Sequence, residues 1–120
     1  MTRLLTAAAA ALLLSTPAFA HHGWGGQEEQ VTSLTGTVVQ GVSLAGPHAT
    51  MKIKVGSDVW DLTLAPPARA ASSGLKEGLI PIGATVTVRG NRNLDHAKHE
   101  MKTIYIKQGK TEYHVYPDRE

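Results

Sequence analysis

The sequence predicts a mainly β protein: a small OB-like, partly open antiparallel β-barrel with one short helix, preceded by a cleavable signal peptide. Three observations support this fold class. An apolar N-terminal run ends in a small-residue triplet, several later segments alternate apolar and polar residues, and one short helical stretch interrupts them. We divide the 120 residues into a signal peptide (1–20), a flexible N-terminal arm (21–32) and a barrel domain (33–117).

The first 20 residues have the pattern of a secretory signal peptide. Arg3 supplies a positive start, residues 4–14 are apolar, and residues 18–20 (Ala-Phe-Ala) form the small-x-small triplet that a signal peptidase cuts. The apolar run is shorter than the roughly 20 residues that span a membrane, so we expect no stable membrane anchor. A buried N-terminal helix is the alternative, but Pro17 breaks the run. The mature chain is predicted to begin at His21 and, in a Gram-negative bacterium, to reside in the periplasm.

Composition excludes several classes of function. The chain has no cysteine, which excludes disulfides, thiolate metal sites and thiol chemistry. The signal peptide holds one of the 12 basic residues and none of the 10 acidic ones, so the mature chain is nearly neutral. Because few aromatic residues accompany this charge, we expect no nucleic-acid partner despite basic residues between Arg89 and Lys102. Common catalytic motifs are missing, and we expect no enzyme.

Period-two alternation locates the strands. Segments 33–44, 48–55 and 58–65 come first, with Gly56-Ser57 as a tight hairpin turn between the last two. Segments 84–90, 101–108 and 111–116 are the later strands, and 91–100 is a polar loop. The residues predicted to face inward are Leu34, Gly36, Val38, Val42, Leu44, Ala49, Met51, Ile53, Val55, Trp60, Leu62, Leu64, Ala84, Val86, Val88, Ile104 and Ile106.

One helix is predicted, and it sets the topology. It follows Pro67, which suits a first helical turn, and ends near Gly74 or Gly78. Three strands, a helix and two or three further strands is the order of an OB-type barrel. Gly36 and Gly41 lie where the first strand must bend to close that barrel, and Gly41 indicates a bulge or sharp bend. A plain twisted sheet with one helix against it is the alternative fold.

Histidine is the residue type that points to chemistry, because all six histidines follow the predicted cleavage point. Cleavage would make His21 the N-terminal residue, whose α-amine and imidazole together form a chelate. That amine has a pKa of about 7.7–8.0, so a metal displaces its proton near neutral pH. Nitrogen ligands of this kind favour Cu(II), and His22 adds a second imidazole. We therefore expect a copper ion at the mature N-terminus, for sequestration or delivery rather than catalysis.

Two loops carry the other candidate metal ligands. His48 follows a Gly-Pro corner before the second strand, and His96 and His99 lie three residues apart in the polar loop 91–100. In OB barrels the loops after strands one and four flank the binding face, so these three histidines are predicted to lie around it. A stretch of about ten arm residues is long enough to reach them.

Each candidate ligand has a plainer interpretation. His96 and His99 are solvated loop residues in that view, and His48 hydrogen-bonds the turn backbone. His21 and His22 would belong to a disordered arm. A tryptophan has little use in such an arm, whereas Trp24 as an apolar anchor would pin the arm to the barrel. His114 alternates with Tyr113 and Val115 and is expected to face solvent.

The chain resembles a family of small exported proteobacterial proteins of unknown function. Their mature chains start His-His, continue into an LTGTV strand, carry an Asn-Pro-His turn and end after a G-x-x-V-x-V-x-G strand. The matching residues here are His21-His22, Leu34–Val38, Pro47-His48 and Gly83–Gly90, and the segment from Val59 to Gly78 matches a Trp-containing strand with a short Leu- and Arg-bearing continuation. The family's Asn before Pro-His is Gly46 here. The resemblance implies export and an OB-like barrel, and it groups His21, His22 and His48.

A second hypothesis belongs to another class of function. The barrel would bind a non-metal ligand or a periplasmic protein partner on its loop-lined face, with Trp24 as an anchor. A copper titration of the mature chain separates the two hypotheses.

Overall fold

The structure, a computed structural model, describes residues 24–120. The predicted signal peptide and two candidate ligands, His21 and His22, lie outside the described residues. The elements in order are β1 (Thr32–Ser43), β2 (Thr50–Val55), β3 (Asp58–Thr63), α1 (Pro67–Ser72), β4 (Thr85–Arg92), β5 (Glu100–Gln108), β6 (Thr111–His114) and a 3₁₀-helix (Pro117–Arg119). Over residues 24–120, no helix has the length and apolar character needed to cross a membrane.

Five strands close into a barrel, which confirms the predicted OB-like fold. The strands neighbour one another in the order β3-β2-β1-β4-β5, and β3 also pairs with β5 to complete the ring. That closing pair is parallel and joins Asp61–Thr63 to Glu100–Lys102, whereas the other strand pairs are antiparallel. β6 extends the sheet from β5 as a sixth strand. Closure satisfies backbone groups that an open sheet would leave unpaired at its edges.

β1 is shared by the two halves of the barrel. Its first half pairs with β4 and its second half with β2. Register irregularities between Val38 and Ser43 flank Gly41, which confirms the predicted bulge. At Gly36 a Cβ atom would collide with the Lys54 carbonyl oxygen and lie 2.9 Å from the Val55 side chain. The missing side chain therefore lets β1 and β2 approach where the two pairings overlap.

Two-residue turns close the hairpins β2–β3 and β5–β6. They are Gly56-Ser57, as predicted, and Gly109-Lys110. Each begins with a glycine whose φ is positive, +60° and +59°. A type II′ turn requires this conformation at its first position, and its twist matches that of the flanking strands.

The barrel interior contains the predicted apolar residues, and all the predicted inward positions are buried or half-buried. Ile104 is also buried, but it lies outside the main hydrophobic core cluster. A register irregularity between Arg89 and Gly90 shifts the phase of β5. Met101 and Ile106 consequently both enter the core, although odd and even positions of a regular strand face opposite sides.

Each strand has at least one boundary that differs from the predicted one by one or two residues, and the structure decides between the two predicted ends of the helix. α1 ends at Ser72, and Gly74, with a φ of +99°, completes the stop, so Gly74 rather than Gly78 ends the helix. β4 continues to Arg92, whereas residues 91 and 92 were predicted to lie in the polar loop. The reason is a contact that alternation does not encode: the Asn91 side chain is buried and donates from Nδ2 to the Glu28 and Glu29 carbonyl oxygens at 3.0 and 3.2 Å.

We predict that Gly90→Ala destabilises the barrel by about 3 kcal/mol, as expected when a packed interior is overfilled. A Cβ there would collide with the Lys102 carbonyl oxygen and lie 2.7 Å from Met101 Cγ. Gly25→Ala is the matched control, since no atom lies within 4 Å of its added Cβ, and it should change the free energy of unfolding by less than about 0.5 kcal/mol. Urea denaturation measures both variants, and equal midpoints would contradict the close approach of β4 and β5.

Candidate functional site

The N-terminal arm is docked on the loop between β4 and β5. We call Trp24–Glu29 the arm segment and Asn93–His99 the histidine loop. Glu28 N donates to the Arg92 carbonyl at 2.9 Å, Leu94 N donates to the Gly26 carbonyl at 3.0 Å, and Gln27 forms an isolated β-bridge with Asn93. These backbone contacts tie the two segments together independently of their side chains.

Trp24 anchors the arm segment, in line with its predicted role. Its ring meets Tyr116 edge-on, with ring centroids 5.1 Å apart and an interplanar angle of 80°. The Lys102 ammonium and the Arg119 guanidinium lie 4.8 and 3.9 Å from the Trp24 ring centroid. Burial, and secondarily the Arg119 charge, lower the pKa of Lys102 below its ordinary value. The charges of Lys102 and Arg119 are therefore stabilised by the π face of Trp24 rather than by a carboxylate.

The histidine loop is shaped by its own polar side chains. Asn93 Oδ1 accepts a hydrogen bond from Asp95 N at 2.8 Å, and Asp95 Oδ1 accepts one from Ala97 N at 3.0 Å. Asn93 N donates to the Glu100 carbonyl at 2.9 Å and closes the base of the loop. Asn and Asp commonly stabilise turns by bonding the backbone two residues on. The loop is thus a sequence of turns rather than the helical turn that would align His96 with His99.

His96 contacts the arm segment. Its Nε2 atom meets Glu28 Oε1, with 61% of the His96 side chain and 25% of the Glu28 side chain exposed. Glu28 reaches this position because its own amide is bonded to Arg92, next to the histidine loop. The contact is therefore a consequence of arm docking, and it leaves one ring nitrogen of His96 uncommitted to Glu28.

His99 faces β3 instead of His96. Its ring lies 5.2 Å from the Trp60 ring at an interplanar angle of 37°, and its Nε2 is 3.9 Å from Asp58 Oδ2. The His99 carbonyl accepts from Asp61 N at 2.9 Å, and Arg92 lies over the same Trp60 ring at 4.9 Å. The two histidines that the sequence suggested as a pair therefore have different partners.

His48 lies at the other end of β3. Its neighbour Ala49 donates to the Ala65 carbonyl at 2.6 Å, whereas the His99 backbone bonds Asp61. Asp61 and Ala65 are four positions apart along the chain, which corresponds to roughly 13 Å of extended backbone. His48 is half-buried, and within residues 24–120 its side chain makes no hydrogen bond to the turn.

These positions separate the three candidate ligands that the structure describes. Across residues 24–120, no three His, Asp or Glu side chains converge as a metal cluster. His48, His96 and His99 each have their own surroundings, and His96 alone among them contacts the arm that leads to His21 and His22.

Two surface pockets accompany the docked segments. The first, of about 330 Å³, lies between the arm segment and the C-terminal residues and combines an aromatic ring, amides, carboxylates and a guanidinium. Its lining is Trp24, Gly25, Gln27, Glu28, Glu29, Asn91 and Arg119. The second, of about 470 Å³, lies between α1 and the end of β6 and includes Arg69 and His114. Pockets of this size admit small polar ligands.

A network of five polar side chains on the outer sheet face was not found from the sequence. Tyr105 Oη donates to Glu112 Oε1 at 2.7 Å, and His114 Nδ1 lies 2.7 Å from Glu120 Oε2. Arg89 lies 3.3 Å from Glu120 Oε1 and 4.1 Å over the Tyr105 ring. His114 is exposed, as predicted, but its side chain is also hydrogen-bonded to Glu120. The network joins β4, β5, β6 and the C-terminus, and only the spacing of Glu112 and His114 on one strand face hinted at it.

The hydrogen bond between Tyr105 and Glu112 perturbs both groups. It raises the pKa of Tyr105, because the phenol must keep its proton to donate, and burial adds to this effect. The same bond holds the pKa of Glu112 below its usual range. A carboxyl with a lowered pKa in the folded state contributes stability above its unfolded pKa, and that contribution is lost as the pH falls through the folded value.

We predict that Tyr105→Phe raises the pKa of Glu112 toward the ordinary glutamate value. The variant removes the donor that favours the charged carboxylate while keeping the ring under Arg89. A carbon-detected NMR titration of the Glu112 side chain measures the change, with Tyr116→Phe as a control that leaves this hydrogen bond intact. An unchanged Glu112 pKa in Tyr105→Phe would assign the lowering to the nearby charges of His114, Lys107 and Arg89 instead.

We predict that Trp24→Ala undocks the arm segment without unfolding the barrel. The ring's contacts with Tyr116, Lys102 and Arg119 are lost, so the Glu28 and Leu94 amides should exchange with solvent at least tenfold faster. The Val115 amide, bonded to the Ile104 carbonyl at 3.0 Å, is the internal control and should keep its protection. Protection of Leu94 that matches the wild type would show that the backbone bonds hold the arm without Trp24.

In comparisons with known proteins, no protein-family model matches this chain, and no curated protein is significantly similar to it. The class that the structure defines is therefore an OB-type barrel with a docked N-terminal arm. The resemblance to the exported family stays a prediction.

Proposed function

We propose that the protein is an exported, periplasmic metal-binding module that holds Cu(II) through the mature N-terminal histidine. Signal-peptide cleavage after Ala20 would release the α-amine of His21, which with its imidazole forms the chelate. His22 contributes a further imidazole. The module sequesters or delivers the ion, and the proposal includes no catalytic step.

The docking of the arm segment is the observation that carries this proposal. A peptide chain extends at most about 3.6 Å per residue, so it allows at most about 11 Å between the α-carbons of His21 and Trp24. Trp24 is anchored by Tyr116, Lys102 and Arg119. The mature N-terminus would therefore stay at this side of the barrel rather than range over the whole molecular surface.

Two carboxylates lie near the anchor and offset the charges of Lys102 and Arg119 on the Trp24 ring. Glu28 and Glu29 are four and five residues after Trp24, and both line the neighbouring pocket. Carboxylates near a site raise the local concentration of cations and favour their binding. An amine and imidazoles are ligands for which Cu(II) has the highest affinity in the divalent series.

The test is a copper titration of the chain that begins at His21. We predict nitrogen-rich Cu(II) coordination by paramagnetic resonance, with at least tenfold lower affinity when one Ala precedes His21, because the added residue moves the amine out of the chelate. The Ala-extended chain is the matched control, since it keeps all the side chains. Equal affinity in both chains would exclude a role for the amine, and affinity no better than that of a His-rich peptide would exclude the metal function.

The 330 Å³ pocket beside the arm favours a second candidate, a non-metal ligand-binding or protein-binding module. Its mixture of aromatic, amide and charged groups is typical of a site for a small polar ligand. Failure of copper binding together with saturable binding of such a ligand would support this alternative.

A further inference from the structure

We infer that the outer edge of β6, the side of the strand that faces away from β5, pairs with the same edge of a second copy of this chain. The two β6 strands run antiparallel across a two-fold axis, and Glu112 of each copy lies opposite His114 of the other. This inference goes beyond the proposed function, because it concerns an interface between protein chains and requires no metal ion.

The outer edge of β6 carries backbone groups that β5 does not use. Alternate residues of β6 bond to β5, and the bond from Val115 N to the Ile104 carbonyl at 3.0 Å identifies which residues these are. The N–H and C=O groups of Glu112 and His114 consequently point away from β5. Within residues 24–120, no backbone bond from another segment reaches them, and β6 is the last strand of the sheet. An edge of this kind is a template for a further strand.

Charge selects one register for two copies of this edge. A two-fold axis between hydrogen-bonded strands makes them antiparallel, and outward-pointing residues then pair with each other. Glu112 can lie opposite itself, His114 can lie opposite itself, or Glu112 can lie opposite His114. The first two registers place like side chains opposite each other, and like charges in that position destabilise a sheet. The third forms a carboxylate–imidazole pair on each side of an axis that passes by Tyr113.

Both side chains of this pair are already oriented by the polar network. Tyr105 Oη donates to Glu112 at 2.7 Å, and His114 Nδ1 lies 2.7 Å from Glu120 Oε2. His114 Nε2 is 3.8 Å from Glu112 of its own strand, which is too long for a hydrogen bond, so a protonated imidazole keeps one N–H to donate across the interface. The side chains of His114 and Glu112 are 50% and 47% exposed. Groups that are held before association lose less conformational freedom when they pair.

The structure leaves room for a second strand beside β6. The pocket of about 470 Å³ separates α1 from the end of β6, and its lining includes Val115 and Pro117. In the proposed register Thr111 of the second copy lies opposite Val115, so the Gly109-Lys110 turn of that copy reaches the pocket. A strand as short as β6 gives a small contact area, and small interfaces are typical of weak, reversible association.

Sedimentation equilibrium of the chain that begins at His21 measures the association. We expect a monomer–dimer equilibrium with a Kd of about 0.1 mM or lower, at pH 6, where most exposed histidines are protonated. A chelator in the buffer removes metal ions, so that a bridging metal does not contribute. A chain that remains monomeric at ten times this concentration overturns the proposal and leaves the edge of β6 to a strand from a different protein.

Hydrogen exchange identifies the surface that associates. The amides of Glu112 and His114 should exchange at least threefold more slowly at about 1 mM protein than at about 0.01 mM, because they are bonded only in the dimer. The Val115 amide is bonded within the chain and should be equally protected at both concentrations. A dimer that leaves the Glu112 and His114 amides unchanged uses another surface and overturns the proposal.

Two charge variants test the register. Glu112→Lys sets two cations opposite each other and His114→Glu sets two carboxylates opposite each other, so each variant alone should dimerise at least fivefold more weakly. An equal mixture of the two variants should form a heterodimer within about threefold of the wild-type affinity, because each introduced charge then meets an opposite one. Lys54→Glu, at an exposed position on β2, is the control and should change the Kd less than about twofold. Protection of the Val115 amide checks that β6 stays paired with β5 in every variant.

The mixture distinguishes an interface from a defect within one chain. Variants that stay monomeric when mixed overturn the register, since one chain does not repair an internal defect of another. Stronger association of Glu112→Lys with the wild type than with His114→Glu would set Glu112 opposite itself and overturn it as well. A loss in Lys54→Glu as large as that in Glu112→Lys would assign the effect to net charge and remove the support for the pair.

Discussion

The parallel pairing of β3 with β5 is the constraint on which the rest of the structure depends. It closes the barrel, and it attaches Glu100 beside Asp61 so that the chain entering β5 must cross the barrel end. The histidine loop is therefore held at both ends, by β4 at Arg92 and by the start of β5. A loop with both ends fixed presents its backbone in one arrangement, and the arm segment docks on that backbone. Without closure the histidine loop would lose its attachment to β3, and the arm segment would lose part of the backbone on which it docks.

The two termini of the described chain meet on the outside of this barrel. Trp24 contacts Tyr116 and Arg119, and Glu120, the last residue, is bonded to His114 and Arg89. The C-terminal residues thus form one wall of the arm's binding site and are themselves fastened by the polar network on β4, β5 and β6. Each exposed cation–π contact is worth only about 0.5–1 kcal/mol. These contacts act together with the hydrogen bonds of Glu28, Leu94 and Asn91, and a short docked segment of this kind can open locally while the barrel stays folded.

Alternation along the chain was sufficient to predict the strands and, except at Ile104, their inward faces, and a glycine within the first strand predicted its bulge, because those features depend on near neighbours. The OB-like order followed from counting elements. The parallel closing pair, the extension of β4 through Asn91 and the phase shift in β5 were beyond this reasoning, since each depends on a segment distant in sequence. The spacing of His96 and His99 was a weaker guide, because three residues bring side chains together only in a helical turn, and Asn93 and Asp95 shape a different loop.

Metal delivery and metal storage make opposite demands on a binding site, and the docking of the arm bears on which demand the proposed copper site would meet. Storage favours a closed set of ligands shielded from solvent. Delivery requires that an acceptor approach the ion and exchange ligands one at a time. A metal site at the end of an arm that docks on the outside of the barrel, through ring contacts and a few hydrogen bonds, would satisfy the second requirement. Displacement of the arm would move the proposed N-terminal nitrogen ligands away from the barrel together. For the proposed copper site, we therefore expect release to proceed through arm opening and transfer to a partner rather than through unfolding of the barrel.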